Sequence, residues 1–371
     1  MAKKVFLSSI VIFAFAITVA KAQVGITSVP FLQIEPDSRA AGMGNTGVAI
    51  ADNASAVFWN PAGLAFQQGN QVSITHSEWL PKFNADLFYD YLVGKYEIDG
   101  LGTVGAHITY LNLGEQIHTT IEDPTGEGLG RFNSYEFSAG LSYGYRLNDR
   151  WALGTGLRFI YSSLFEGEVG QQSISPGSSF GVDIAALYKS DTFDFIGREA
   201  SVDAGLNLSN IGPGIRYTAN AQKDPLPTVL RFGWAFKMNL DDEGINTLTI
   251  ANDISKIMAR SDSTGDAESV FRALFSSWGS LERDTGQEIV TLSTLQQFMV
   301  STGFEYWYNN LFAIRGGYYY EDPNNGDRQY ITIGAGIRYD FIGVDFSYIY
   351  TLDNEEHPLA NTTRFGLLLN F

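Results

Sequence analysis

The 371-residue chain has no cysteine, only four histidines, and beyond its first 22 residues no apolar run long enough for a membrane helix. Without cysteine there is neither a disulfide framework nor a thiol nucleophile, so stability must come from hydrogen-bond closure and burial. The lack of spans of about 20 apolar residues excludes a helical membrane protein. It leaves a β-barrel open, because a barrel carries its membrane signal in alternation rather than in runs. Positive charge is scarce as well: 24 Lys and Arg face 41 Asp and Glu, a formal charge of −17. Lys3, Lys4 and Lys21 fall in the leader described next, so the remainder is more acidic still. Nucleic acid is a poor partner for such a surface, and none is expected. Acidity combined with 39 glycines, 19 tyrosines and 26 phenylalanines suits a barrel with solvated loops and identifies no ligand.

The N-terminus carries Lys3 and Lys4, an apolar run from Val5 to Ala20, and the small-residue pattern Ala20-Lys21-Ala22. This predicts a secretory signal peptide over residues 1–22 and a mature chain from Gln23. An anchoring helix fits less well, because the run is shorter than the roughly 20 residues a span requires.

Beyond the leader, period-2 alternation marks about fourteen strands. The candidates are Gln71 to Trp79, Ala85 to Tyr96, Gly102 to Leu113, Ser134 to Leu147, Trp151 to Ser163, Ser179 to Lys189 and Ala200 to Ser209. They continue with Pro227 to Leu240, Ile245 to Ile254, Phe298 to Tyr308, Leu311 to Tyr320, Arg328 to Tyr339, Ile342 to Tyr350 and Thr363 to Phe371. In the fourth, Tyr135, Phe137, Ala139, Leu141, Tyr143 and Tyr145 oppose Glu136, Ser138, Gly140, Ser142, Gly144 and Arg146. In the last, Phe365, Leu367, Leu369 and Phe371 oppose Arg364, Gly366 and Asn370, with Leu368 the exception. Greasy faces turned to lipid and polar faces turned to a lumen give a transmembrane antiparallel β-barrel over residues 70–371.

A soluble sandwich shows the same alternation, so the links between strands discriminate. Short links at Asn148 to Arg150, Asp241 to Gly244, Asn309 to Asn310 and Asp340 to Phe341 alternate with long ones at Gly114 to Asn133, Phe165 to Ser178, Asn210 to Leu226 and Ser255 to Gln297. That parity matches short periplasmic turns and long outer loops; the short outer link Leu80 to Asn84 is the exception. Trp79, Tyr89, Tyr91, Trp151, Tyr161, Trp307, Tyr308, Tyr319 and Tyr350 are then candidates for the interfacial girdles.

Two stretches escape the strand pattern. Residues 23–69 are rich in Gly, Ala and Asn and end in Phe58-Trp59-Asn60-Pro61-Ala62-Gly63-Leu64, where Asn60 can cap a helical turn opened by Pro61. They are expected to form a plug, or hatch, inside the lumen, rather than a flexible extension. Within the 255–297 outer loop, Val270, Phe271, Leu274, Phe275, Trp278 and Leu281 recur at helical spacing. This apolar face either packs over the barrel mouth or docks a partner protein; Phe271, Leu274, Phe275, Trp278 and Leu281 are the candidate docking residues.

Catalytic and metal chemistry find little support. A hydrolase needs a nucleophile, a base and an orienting acid within reach. Of His76, His107, His118 and His357, His107 faces the lumen beside Thr103 and Thr109, and His76 is two residues from Glu78. No serine stands in a nucleophile-elbow pattern. Asp322, Asn324, Asn325 and Asp327 read as a turn before they read as a calcium loop, so no metal and no cofactor is expected.

The run Ser38-Arg39-Ala40-Ala41-Gly42-Met43-Gly44-Asn45-Thr46-Gly47-Val48-Ala49, then Asp52, Ala54-Ser55-Ala56 and Trp59-Asn60-Pro61-Ala62-Gly63-Leu64, resembles the hatch signature of the PorV and PorQ proteins. These belong to the superfamily of the fatty-acid transporter FadL. Gly303-Phe304-Glu305-Tyr306-Trp307-Tyr308, Phe312-Ala313-Ile314-Arg315-Gly316-Gly317-Tyr318-Tyr319-Tyr320-Glu321, Arg328-Gln329-Tyr330 and Gly334-Ala335-Gly336 are similar to PorV in particular.

The resemblance implies a FadL-like, fourteen-stranded outer-membrane barrel of the type IX secretion system of Bacteroidota. It implies a role in binding the C-terminal signal domain of secreted cargo at the giant translocon barrel. Cargo would then pass to the surface complex of the PorU-type sortase with PorQ and PorZ. Lipid and lipopolysaccharide would surround the barrel. On this reading Arg39, Gly42, Met43, Gly44, Asn45, Asn60, Pro61 and Gly63 build the hatch, and Glu136, Arg146, Arg158 and Arg338, on the inward faces of their strands, are lumen-facing polar groups. The arginines would tie plug to wall, or simply be solvated. The alternative function is transport of hydrophobic small molecules through a wall gap near Gly94, Gly100, Gly102 or Gly105; a third is lipid hydrolysis.

Overall fold

The computed structural model describes residues 27–371 except 84–85, 120–122, 124, 127–129, 170, 220–222, 261–266, 285–288 and 353–356. The expected leader lies outside the described residues. Fourteen long strands follow one another in chain order: β1 (Gln71–Glu78), β2 (Phe88–Ile98), β3 (Gly102–Ile117), β4 (Arg131–Arg146), β5 (Trp151–Ser163), β6 (Gly177–Lys189) and β7 (Arg198–Ile211). The second half is β8 (Val229–Asn239), β9 (Asn246–Ile257), β10 (Phe298–Tyr308), β11 (Phe312–Tyr320), β12 (Gln329–Tyr339), β13 (Ile342–Thr351) and β14 (Thr363–Asn370). Each pairs antiparallel with the next. β14 returns to β1 in a ladder from Gln71–Asn370 to Ser77–Arg364, which closes the cylinder. Closure leaves no open edge, the only way a sheet can satisfy its backbone in lipid. Asn70 and Phe371 exchange two backbone hydrogen bonds of 3.0 Å, so the last residue is part of the seam.

All fourteen expected strands are present, with ends displaced by a few residues. The faces follow the alternation: Leu141, Ile184, Ile333, Phe365 and Leu367 point outward and are exposed, while Ser138, Thr332, Ser347 and Arg364 point inward and are buried. Leu368, the exception in the last strand, is buried on the inner side. A water-soluble sheet would bury the opposite set. Among the described residues no helix is long and apolar enough to cross a membrane.

The aromatic residues divide differently from expectation. Tyr161 lies in an outward row in which Tyr110 stacks on Tyr135 and Tyr135 on Tyr161, at 5.9 and 6.0 Å. Trp151, Tyr308 and Tyr350 are likewise exposed on the outer face. Tyr89, Tyr91 and Tyr319 instead face inward and are buried in two separate interior clusters, and Trp79 packs against both. Trp307 also faces inward, beneath Arg315 and Arg338. Strand parity, not aromatic character, decides which side a ring occupies, and part of this lumen is apolar because something packs into it.

The ladder between β2 and β3 runs unbroken from Phe88–Asn112 to Ile98–Gly102, so Gly94, Gly100, Gly102 and Gly105 open no gap there. Irregular register occurs between Asn112 and Glu115 on β3, and between Leu208 and Ile211 on β7. The long outer loop differs from its expected form too. Its helix spans only Val270–Ser276, and Leu281 starts a short hairpin (Leu281–Asp284 with Ile289–Leu292) instead of extending the helical stripe.

Candidate functional site

Residues 28–67 lie within the cylinder. The segment starts beside the outer loops, where Ser28 donates its N–H to the Pro225 carbonyl at 3.0 Å and its hydroxyl to the Asp224 and Pro225 carbonyls. It then runs toward the end that carries the short turns and leaves there for β1. Phe31, Val57, Trp59 and Leu64 from the segment share one buried cluster with Tyr89, Tyr91, Val93, Leu111 and Ile160 of the wall. Ile215 and Leu226 of the loop after β7 close the cluster from outside. Burial of this size is worth roughly 1.5–3 kcal/mol for each large apolar side chain.

Local sequence explains the segment's shape. Asp37 caps the four-residue helix α1 (Ser38–Ala41) by accepting the Ala40 N–H at 2.9 Å, and also accepts the Trp59 indole N–H. Burial pushes the Asp37 carboxyl above its ordinary range. A second short helix, α2 (Ala56–Trp59), ends at Asn60. Asn60 accepts the Ala62 N–H at 3.1 Å, capping the 3-10 turn that Pro61 opens, and donates to the Val48 and Ala186 carbonyls. Gly63 packs against Ala51, where any side chain would collide with the Ala51 carbonyl.

The turn after α1 is where segment and wall come closest. Gly44 has φ +66°, a left-handed conformation that costs glycine nothing, and donates its N–H to Thr332 Oγ1 at 2.8 Å. Met43 and Gly44 lie against Gly303 and Gly317, and a Cβ at either wall position would overlap their backbone. Gly42 and Gly334 are close but less so: a Cβ on either would stand 3.0 Å from the other's Cα. Asn45 Nδ2 donates to the Tyr330 hydroxyl at 2.6 Å, and the N–H groups of Gly47 and Val48 converge on one Asp253 oxygen at 2.7 and 3.0 Å.

Near the short-turn end, an alternating chain of charges joins segment to wall. Lys237 lies 3.0 Å from Asp203 and 3.9 Å from Asp52, and Asp52 pairs with Arg39. Arg39 donates to both Glu305 oxygens at 2.7 and 2.8 Å. Arg315 donates to Glu305 at 2.7 Å and to Asp345 at 2.8 Å, and Arg338 completes the row on Asp345 at 2.6 Å. Four acids and four bases neutralise one another, as charges withdrawn from water must. Arg39 and Arg338 were legible as members. Glu305, Arg315 and Asp345 were not, because only strand register sets Glu305 opposite Arg315.

The other expected polar groups have different partners. Arg158 is buried and pairs with Asp183 of the adjacent strand, not with the lumen segment. Arg146 sits at the rim, half exposed, pairing with Asp149 and lying 5.4 Å over the Phe66 ring. Glu136 accepts the Ser162 hydroxyl at 2.7 Å. His107 is buried beside Tyr91, while His76 points outward and contacts Asp90 at 2.6 Å. The Asp322–Asp327 stretch folds on itself, with the Asp322 carbonyl accepting from Asn325, Gly326 and Asp327.

On the outer surface, α3 (Val270–Ser276) buries Ala273 and leaves Phe271 and Phe275 75% and 81% exposed. Trp278 is exposed, Leu274 half-buried, and Leu281 buried, so the expected stripe is split. A groove of about 570 Å³ runs between this helix and the loop after β7, bounded by Ile211, Pro213, Pro225, Val270 and Phe271.

A closed cylinder filled by its own N-terminal segment invites comparison with known proteins. The family model described as "Type IX secretion system protein PorV" matches residues 18–263, well over half of the chain. The chain belongs to the PorV family. Among solved structures, a TodX deltaS2S3 mutant monoaromatic hydrocarbon channel aligns with TM-score 0.52 at 14% identity, covering 91% of this chain and 100% of that one. The Ralstonia pickettii toluene transporter TbuX gives 0.48 at 14% identity, covering 91% and 99%. A Pseudomonas aeruginosa FadL homologue gives 0.41 at 12%, covering 90% and 97%. None of the curated proteins compared matches the chain. At such identities the likeness to solved structures speaks for a FadL-like barrel fold and nothing finer. PorV membership and the closed barrel together make this a β-barrel protein of the outer membrane.

Proposed function

We propose that this PorV-family barrel is a non-catalytic carrier: it binds the C-terminal signal domain of secreted cargo at the type IX translocon and delivers it to the PorU-type attachment complex. The observation that carries the reading is the pairing of a filled lumen with an apolar outer surface. Between plug and wall, the space bordered by Trp59, Arg231, Asp253 and Arg328 is about 20 Å³, room for one water and not for a substrate. Outside, Phe271, Phe275 and the groove beside them supply what a protein partner needs, an apolar anchor surface rimmed by polar loops. The residues of 28–67 act as a seal, so that the membrane stays closed while cargo is handled on its surface.

The test is to isolate the detergent-solubilised protein from its native envelope. Recovery of a very large barrel protein together with secreted cargo is the expected result. Recovery of neither, with a fatty acid or other hydrophobic small molecule bound instead, overturns the carrier reading in favour of a transport channel.

A further inference from the structure

The loop after β7 carries two cations that border the same cavity. Ile215 and Asp224 exchange backbone hydrogen bonds of 2.9 and 2.8 Å in a single antiparallel bridge, and Arg216 and Lys223, the residues beside that bridge, are both exposed and line one cavity. Like charges gathered at one cavity repel. In a chain of formal charge −17 such a pair is unexpected unless something anionic comes to it.

The pair borders a polar cavity of about 400 Å³, whose wall also includes Ser175, Ser178 and Thr218. The cavity is built rather than incidental. Ser28 holds the chain at Asp224 and Pro225, a bridge joins Ile174 to Thr218, and the Tyr217 hydroxyl donates to Ser162 Oγ at 2.9 Å. Its height is equally informative. Ser178 pairs with Tyr161 of the outward aromatic row, and the next outward residues along β6, Phe180 and Val182, face lipid. The cavity therefore stands where headgroups of the outer leaflet lie. In an outer membrane those headgroups are phosphorylated sugars.

We propose that Arg216 and Lys223 form a binding site for the phosphate-bearing headgroup of an outer-leaflet glycolipid. The guanidinium takes a phosphate in a bidentate fork, the ammonium adds a point charge, and the Ser and Thr hydroxyls take sugar oxygens. The bound anion would relieve the repulsion between the two cations and tie this loop to the membrane surface.

The experiment uses the full-length protein in detergent, with binding of fluorescent lipid A compared against lipid A from which both phosphates have been removed. The expected result is at least a tenfold preference for the phosphorylated form, lost in R216S/K223S and largely kept in K223R, with unaltered heat-modifiable mobility showing all variants folded. Equal binding of the two lipids, or an unchanged preference in the double variant, overturns the proposal. Inorganic phosphate competing as strongly as lipid A would reduce the site to a bare anion site and overturn the headgroup assignment. Displacement by an acidic cargo peptide where lipid A does not bind would overturn it as well.

Discussion

Arg39 in the lumen segment grips both carboxylate oxygens of Glu305 on β10, a residue 266 positions away, and Glu305 is shared with Arg315 from the neighbouring strand. Glu305 and Arg315 are 1% and 0% exposed. Removing the shared acid therefore strands Arg315 with Asp345 alone and releases Arg39 toward Asp52. Glu305→Gln is expected to cost about 3 kcal/mol, in the range for breaking a buried pair from one side. Arg39→Met is expected to cost less, because Glu305 keeps Arg315. The temperature at which the barrel loses its compact electrophoretic mobility checks both; an unchanged temperature for Arg39→Met would show that the lumen segment takes no part in the pairing.

Glycine content alone does not tell which glycines matter, and two positions separate the cases. A Cβ at Gly317 would enter the backbone of Met43 and Gly44, which cannot move without dislodging the turn. A Cβ at Gly94 would meet only ordinary contacts at 3.5 Å. Gly317→Val is expected to destabilise by about 2–3 kcal/mol and to expose the lumen segment to protease, whereas Gly94→Ala stays within about 0.5 kcal/mol. Urea midpoints and limited proteolysis measure the difference.

Much of this fold is legible because a barrel obeys one rule repeatedly: period-2 alternation fixed the number of strands, their faces and even the anomalous inward Leu368. Reading rings as girdle residues failed at Tyr89, Tyr91 and Tyr319, because a lumen packed by an apolar segment accepts aromatic side chains as readily as lipid does. The charge chain was only half visible for a related reason. Arg39 stands in a recognisable motif, but Glu305, Arg315 and Asp345 look like any inward polar residue until register places them side by side. The outer loop was the least legible, since its helical spacing continues past Ser276 while the backbone turns into a hairpin at Leu281.

The docking surface makes the carrier reading testable without disturbing the barrel. Phe271 and Phe275 are so exposed that replacing them removes little burial, so Phe271→Asp and Phe275→Asp should leave stability within about 0.5 kcal/mol. Secretion and surface attachment of cargo should nonetheless fall together, by about tenfold in the double variant, as expected when an exposed aromatic anchor is lost. Quantifying cargo in cell-surface and periplasmic fractions decides the matter; normal attachment with both residues changed would place docking elsewhere on the outer loops.

The loop before β14 should respond to pH through His357. Its Nδ1 accepts the Leu359 N–H at 3.1 Å, which requires the neutral ring, and burial, aided by Arg328, lowers its pKa below the ordinary 6.5. Leu359 anchors the loop on Met299, Tyr319, Tyr330 and Ile349 over the lumen. Because the opened loop takes up a proton near pH 6.5 and the closed loop only at lower pH, closure is favoured fully above that value. It weakens as pH falls through it and levels off below the closed-state pKa. Amide hydrogen exchange at Leu359, corrected for intrinsic rate, should therefore lose protection between about pH 7.5 and about pH 5.5. His357→Gln should abolish that dependence, and protection that is flat with pH in the unaltered protein would show that the ring does not hold the loop.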